Sequence, residues 1–309
     1  MSLSQDTSAN QTPEVIGIGA ATLDELWRVS SFQAEESVTE ALDRVVMGGG
    51  PVATALCCLS RFGHACALLD SCGDDSIGFE IIQSLQAHGV HTAWLQKRPN
   101  AMSARAVVLV RETDGARQIH YLPSTAREPE IHNEFIIALS KARLLHLNGR
   151  HENAARLAIR EAQRAGVTIS WDGGAGRYRD SIRDLVEASH LRIVSVDFAR
   201  KMTGLQDPYQ MAEALLLPPA RLVVVTAGTS GCYIAIPGEP IFHQPAYPAA
   251  HVVDTTGCGD VFHGAFLHGW LCGLSVSECA DLAARWAARN AEGLGGRFIC
   301  HSLKQNNEA

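Results

Sequence analysis

Residues 252–266 read VVDTTGCGDVFHGAF. Two apolar residues lead in, Val252 and Val253. They are followed by Asp254, a Thr255-Thr256 pair, the turn Gly257-Cys258-Gly259, a second carboxylate at Asp260, and then an apolar run with helical spacing. The pattern is a strand end, a glycine turn and a helix start. The first N–H groups of a helix lack internal acceptors, and the helix dipole is positive there. Glycines keep side chains away, so an anion can approach those N–H groups closely. Asp260 falls in the first turn, where the dipole is expected to keep it ionised at neutral pH. A carboxylate there binds phosphate poorly, but it is well placed to take a proton from a hydroxyl attacking phosphorus. A bare G-x-G would fit an ordinary glycine-rich cap. Two carboxylates flanking the turn make the string more specific and point to phosphoryl transfer.

The rest of the chain fits an enzyme of that kind. Its 309 residues are 46% hydrophobic, enough for one large α/β domain or a domain with an accessory piece. The net charge of −7 with no basic block argues against nucleic acid and anionic membranes as partners. No run approaches the ~20 apolar residues of a membrane span. The polar start, MSLSQDTSANQTPE, has neither a basic end nor an apolar centre, so residues 1–13 are expected to be a disordered tail and not a signal peptide. Nine cysteines without a C-x-x-C pair read as small buried hydrophobes in a reducing cytoplasm.

Near-continuous apolar runs at Val15–Ala20, Cys66–Asp70, Arg143–Leu147, Val167–Trp171, Leu191–Val196 and Leu222–Thr226 read as strands buried on both faces. Helical patterns at Pro51–Arg61, Ser76–His88, Glu152–Ala165 and Ser181–Ala188 alternate with them. Gly257–Cys272 and a capping-box helix starting at Ser275 close the chain. The alternation predicts a doubly wound, mostly parallel sheet with helices on both faces. Two segments break the rhythm. Leu26–Met47 and Met102–Leu122 are half-polar and alternating, and the second carries Asp114-Gly115, a hairpin signal. They read as a small β-sheet projecting from the body as a lid.

DTTGCGD resembles the C-terminal signature of the ribokinase-like (PfkB) carbohydrate kinases, usually D-T-x-G-A-G-D. MGGGPVATALCCLSRFGHACALL with GDDSIG resembles the N-terminal signature, and VVVTAGTSGCYIA the nucleotide-binding strand–turn–strand. The resemblance spans nearly the whole chain, so residues 14–305 are expected to form one kinase domain. It implies ATP-dependent phosphorylation of a sugar hydroxyl, with Asp260 as base and Gly257, Cys258 and Gly259 as the anion hole. Asp24 and the triple glycine Gly48-Gly49-Gly50 would hold the sugar. Thr226, Gly228 and Gly231 would lie along the nucleotide. Mg²⁺ would accompany ATP. A monovalent cation such as K⁺ would sit near Asp254 and Thr256, with backbone from residues 293–297.

There are departures. Ala53 stands where many members have a sugar-binding asparagine, which argues against a plain ribokinase. The GGGPxAT form, LNGRHEN and VVDTTGxGDVFHGA look closer to the ketohexokinase and sulfofructose-kinase branch, so a nucleoside or sulfosugar is a further substrate reading. Ser195 and Phe198 replace the N-x-x-E pair linked to Mg²⁺. Arg150 follows a buried strand and has two readings of equal weight, a grip on substrate or a surface pair with Glu152. The replaced N-x-x-E keeps a catalytically weak, sugar- or nucleotide-binding regulator as a rival. GIGAA alone supports a nicotinamide-dependent oxidoreductase, but polar SSFQAEES follows where a helix is required. The half-polar lid is expected to pair two copies into a homodimer, with Val107, Leu109, Ile119 and Val45 as the apolar contacts.

Overall fold

The computed structural model describes residues 12–33, 35–36 and 38–302. Most of the tail expected over 1–13, and the last residues of the domain expected to reach 305, lie outside these. The main sheet runs, in spatial order, β14 (Phe242–Gln244), β13 (Cys232–Ala235), β12 (Leu222–Thr226), β11 (Leu191–Ser195), β10 (Thr168–Gly173), β9 (Leu144–Leu147), β1 (Val15–Ile18), β4 (Cys66–Gly73) and β5 (Val90–His91). β6 (Leu95–Arg98) also pairs with β4. From β12 to β5 all pairings are parallel; β13 and β14 turn back antiparallel. Successive strands grow outward from β1 in one direction and then, from β9, in the other. The boundary between β1 and β9 is therefore the topological switch point, where α/β sheets bind ligands at the C-terminal strand ends.

Two apolar layers sandwich the sheet. One packs α1 (Pro51–Arg61), α8 (Cys258–Leu271) and α9 (Val276–Asn290) on one face. The other buries residues of α3 (Asn133–Leu139), α4 (Glu152–Ala165), α5 (Arg183–Glu187), α6 (Val196–Thr203) and α7 (Pro208–Leu215) on the opposite face. The remaining helices are α2 (Ser76–Ala87) and α10 (Phe298–Ser302). Nine of the eleven residues of α1 are buried, and Pro51 at its first turn has no N–H to satisfy. α1 and α8 approach closely because Gly264 has no side chain. A Cβ there would stand 2.6 Å from Cys58 Cβ and 2.9 Å from the Ala55 carbonyl. The Ser275 capping box on α9 forms as its sequence predicts. The Ser181–Ala188 helix is a 3₁₀ turn over Asp180–Ile182 followed by the short α5.

The second sheet has four strands in the order β3 (Asp43–Gly49), β2 (Thr22–Val29), β7 (Arg105–Arg111) and β8 (Arg117–Leu122). It begins at Thr22, four residues before the predicted lid segment, so Asp24 lies on a lid strand. β2 and β7 pair in parallel and the others antiparallel. Its inner face carries Leu26, Ala106, Val108 and Val110, packed with Val45 and Met47 of β3 and with Leu294 of the body. By register, Ile119 faces the same way as Val108, and Val45 as Leu26. Of the four predicted contact residues, only Val107 and Leu109 therefore stand on the outer face, because side chains alternate along a strand.

Candidate active site

The turn at 254–260 forms the N-terminus of α8. Gly257 sits in the left-handed region at φ 70°, and a side chain there would collide with the Gly296 backbone. A Cβ on Gly259, by contrast, would meet nothing within 4 Å. The first helical bond runs from Val261 N–H to the Gly257 carbonyl at 2.8 Å, and the Cys258 N–H turns back to the Thr255 carbonyl at 3.5 Å. The Gly259 and Asp260 amides are thus the donors at the open helix end. Of the residues expected to form an anion hole, Cys258 turns its N–H away, while Gly259 keeps an open amide beside that of Asp260. The Cys258 thiol is pushed up to about 12 by burial, so it stays a neutral thiol at neutral pH.

Asp260 keeps some surface open to the cleft but is enclosed by protein. Burial raises its carboxyl to about 7, with Arg177 and Arg117 pulling down and Asp172 and Asp24 pushing up. The expectation that the helix dipole alone would hold Asp260 fully ionised is corrected: desolvation outweighs it. Directly beneath lies a buried polar layer that the sequence did not signal. Asp172, at the end of β10, has Oδ1 3.5 Å from His263 Nε2, one turn along α8, and Oδ2 3.7 Å from Arg177. His146 of β9 completes the layer, its Nδ1 3.2 Å from Ser170 Oγ. Burial lowers both imidazoles, His146 to about 3, so both are neutral.

Across the switch point stands the other end of the cleft. Asp24 accepts from Thr22 Oγ1 at 2.6 Å, and burial raises its carboxyl, offset by Thr22, Arg297 and Arg177. Register places Asp24, Ala106 and Tyr121 in one row across the lid's inner face. Gly48 and Gly49 at the end of β3, and Gly50 after it, each exclude a side chain for a separate local reason. A Cβ on Gly49 would collide with the Asp24 carboxylate, and one on Gly48 with Ser84 and Arg297. Gly50 caps α1 at φ 89° against the Ala20 carbonyl. The buried Arg297 guanidinium holds this turn by donating to the Gly49 carbonyl at 2.7 Å and Thr54 Oγ1 at 3.1 Å.

Arg150 follows β9, in a loop fixed by the buried contact of His151 Nε2 with Asp70 Oδ1 at 2.6 Å. Asp70 also accepts from the Ala21 N–H, which ties this loop to the start of the lid. Glu152 is taken by Arg179 at 2.9 Å and Arg156 at 3.3 Å. Among the described residues no carboxylate pairs with Arg150. The surface-pair reading of Arg150 therefore falls. Burial raises the Tyr121 phenol on the lid, while Arg150 and Arg177 both pull it back, so the two guanidinium groups share the cleft with it.

At the other side of the sheet, Thr226 ends β12, Gly228 opens a 3₁₀ turn at φ 58°, and Gly231 at φ 84° starts the return into β13. A side chain on Gly231 would collide with the Gln244 carbonyl. Four strand spacings, about 19 Å, separate β12 from β1. The cleft thus has room for an extended ligand between Thr226 and Asp24, passing over the α8 N-terminus. The lid reaches this turn directly. Arg117 donates to the Thr255 carbonyl at 3.0 Å and to Thr255 Oγ1 at 2.8 Å, and Thr255 Oγ1 donates to the Gly115 carbonyl at the hairpin tip.

A sequence model described as pfkB family carbohydrate kinase matches residues 13–301. The chain belongs to the pfkB family of carbohydrate kinases. A ribokinase of Arabidopsis thaliana is 26% identical over 310 residues, covering 93% of this chain and 81% of that protein. Among solved structures, a putative ribokinase from Agrobacterium tumefaciens superposes with a TM-score of 0.84 at 24% identity, covering 95% of this chain and 96% of the other. Arabidopsis thaliana ribokinase complexed with ribose and ATP superposes at 0.78 and 22% identity, covering 95% and 99%. As a pfkB-family carbohydrate kinase the chain is a phosphotransferase acting on sugar. Among the described residues no helix is long and apolar enough to cross a membrane.

The two cations that pfkB membership suggests fare differently. Phe198, at the position of the expected glutamate, is fully buried in the core, and Ser195 caps α6 by accepting from the Phe198 N–H. The neighbouring Asp197 is occupied by the Gly176 N–H and Lys201. Those positions do not fit a Mg²⁺ ligand set. The residues around Asp254 do fit a monovalent cation. Asp254 is fully buried, accepts from the Thr256 and Gly295 N–H groups at 2.7 and 2.8 Å, and has no cationic side chain paired with it among the described residues. Thr256 Oγ1 is buried without a hydrogen-bond partner. A bound K⁺ would offset the Asp254 charge and stiffen the loop behind the anion hole.

Proposed function

We propose that this kinase transfers the γ-phosphoryl group of ATP to a hydroxyl of a ketose or related small carbohydrate. The observation that carries the reading is the placement of Asp260 beside the open amides of Gly259 and Asp260, with Asp24 and the unpaired Arg150 facing the same cleft. ATP would lie from Thr226, Gly228 and Gly231 toward the α8 N-terminus. Asp260 would take the proton from the sugar hydroxyl as its oxygen attacks phosphorus. The helix-end amides would hold the negative charge of the transferring group. Closure of the lid would keep water from competing as acceptor. An ADP-release assay over ketoses, aldoses, sulfosugars and nucleosides tests the proposal. No sugar-dependent ADP release, with ATP and a sugar still bound, would support the regulator that the Ser195/Phe198 replacement favours.

Arg150 is proposed to grip the substrate by its fork of donors, which suits an anionic or hydroxyl-rich group. Arg150→Ala is expected to raise the sugar KM by roughly 10–100-fold, the worth of hydrogen bonds to a charged group. The KM for ATP should stay near its original value. An unchanged sugar KM would place Arg150 outside the substrate contacts.

The outer lid face exposes Val46, Val107 and Leu122 beside the half-buried Leu109. An apolar sheet face of this kind suits a second copy of the chain. Leu109→Asp is expected to give a monomer with weaker sugar binding and little change in ATP affinity. Sedimentation of the wild type as a monomer at micromolar concentration would remove the dimer from this proposal.

A further inference from the structure

α1 and α8 point their N-termini at the cleft and bring their C-terminal ends together on the far side of the molecule. After α1 the chain passes through Phe62 and Gly63 to His64; α8 carries His268 in its last turn and Cys272 at its C-cap. His64 Nε2 lies 2.9 Å from His268 Nδ1, and Cys272 Sγ lies 3.6 Å from the same nitrogen. One ligand atom from each residue falls within 4.8 Å of the other two. Zn–N bonds of about 2.0–2.1 Å and a Zn–S bond of about 2.3 Å at a tetrahedral angle place N and S roughly 3.6 Å apart and two N atoms roughly 3.3 Å apart. The His268–Cys272 spacing is already met. The N–N spacing needs only a few tenths of an ångström of opening.

The surroundings hold the two imidazoles as ligands. Glu14 Oε2 lies 2.7 Å from His64 Nδ1, so the carboxylate takes that N–H and leaves the Nε2 lone pair facing inward. A carboxylate on the remote nitrogen fixes the tautomer and raises ligand basicity in metal sites. Glu14 is itself tied to Arg143 at 2.5 Å. Phe62 stacks on His268 with centroids 4.1 Å apart and planes 4° apart, which sets the ring orientation. Cys272 is exposed, whereas seven of the other cysteines are buried and Cys258 is half-buried. The cluster is therefore open to solvent on the thiol side.

We propose that His64, His268 and Cys272 form a binding site for a zinc-class divalent cation, with Glu14 holding the His64 tautomer and a fourth position open to water. Two imidazoles and a thiolate select a borderline-soft cation over Mg²⁺ or Ca²⁺. Binding releases the Cys272 proton to solvent, and His268 shifts its proton from Nδ1, where it faces His64 Nε2, to its own Nε2. At 1.5 Å per residue along α8, His268 and Cys272 lie about 14 and 20 Å from the Gly259 amide. The cation would clamp the tails of the two helices whose heads shape the cleft and would take no part in phosphoryl transfer.

The test uses the full chain stripped of metal by chelation. Titration with Co²⁺ is expected to reach one equivalent, with tetrahedral d–d bands and a thiolate-to-cobalt charge-transfer band. Cys272→Ser should lose the charge-transfer band and weaken Zn²⁺ binding at least ~10-fold; Glu14→Gln should weaken it by ~10–100-fold. Saturating Zn²⁺ should raise the wild-type Tm by roughly 3–8 °C and leave that of Cys272→Ser unchanged. Bound Zn²⁺ should also slow alkylation of Cys272, mapped by mass spectrometry. Turnover of the metal-free protein should be the same in wild type and Cys272→Ser. An octahedral cobalt spectrum without a thiolate band, Zn²⁺ binding that Cys272→Ser leaves intact, or unprotected Cys272 at saturating Zn²⁺ would overturn the site.

Discussion

Asp260→Asn is expected to cut kcat by ~10²–10⁴-fold while ATP and sugar still bind, because the amide keeps the shape of the carboxylate but cannot take the hydroxyl proton. The environment of Asp260 adds two readouts. Burial holds its carboxyl at about 7, so the wild-type kcat/KM should rise with pH through that value as the base ionises. The sign for stability is the reverse. A carboxyl with a raised pKa binds more protons folded than unfolded between its ordinary value and about 7. Its contribution to stability is therefore present at low pH and lost as pH rises through about 7. Asn removes that penalty, so at pH 8 the variant should melt above the wild type. A near-normal kcat in Asp260→Asn would take this residue out of the chemistry. A flat pH profile between 6 and 8 would show that the base ionises elsewhere.

Gly259→Val should abolish most turnover in a protein that still folds. The position is free of neighbours within 4 Å, so the branched side chain costs the fold little and instead fills the approach to the open amides. Loss of one such donor typically costs ~10²–10³-fold in rate, and a displaced phosphate loses both. Gly257→Val is a different experiment, because its φ of 70° and its contact with the Gly296 backbone make it a folding lesion. Comparing the two separates anion binding from loop architecture. If Gly259→Val binds ATP and turns over normally, the phosphate does not approach the amides of this helix end.

The main sheet was legible because its strands are buried on both faces and need apolar residues throughout, as in VIGI of β1 and LVVVT of β12. The α8 turn was legible because one contiguous string holds it. The polar layer under Asp260 was not. His146, Asp172 and His263 come from three elements, and each reads alone as an isolated polar residue in an apolar run; only strand order and helix packing bring them together. Arg177 and Arg297 were missed likewise, since neither sits in a pattern with its partners. The triple glycine was seen, but not the packing that requires it. Its sequence says only that side chains are forbidden, and the structure supplies the reason, the Asp24 carboxylate lying against Gly49. The lid face was misassigned because a strand's register, not its composition, decides that Val107 points out while Val108 points in.

The seam between Arg117 and Thr255 joins the lid to the loop that opens α8, the proposed anion hole. The same sheet carries Asp24 on β2, so the carboxylate proposed for the sugar and the turn proposed for the phosphate are fastened to a single plate. Withdrawing the lid must loosen both ends of the cleft in one movement. The two substrates should consequently report on each other. A sugar that draws the plate down should tighten the nucleotide, and by reciprocity the nucleotide should tighten the sugar by the same factor. Cutting the seam with Arg117→Ala would leave each affinity standing and dissolve the conversation between them.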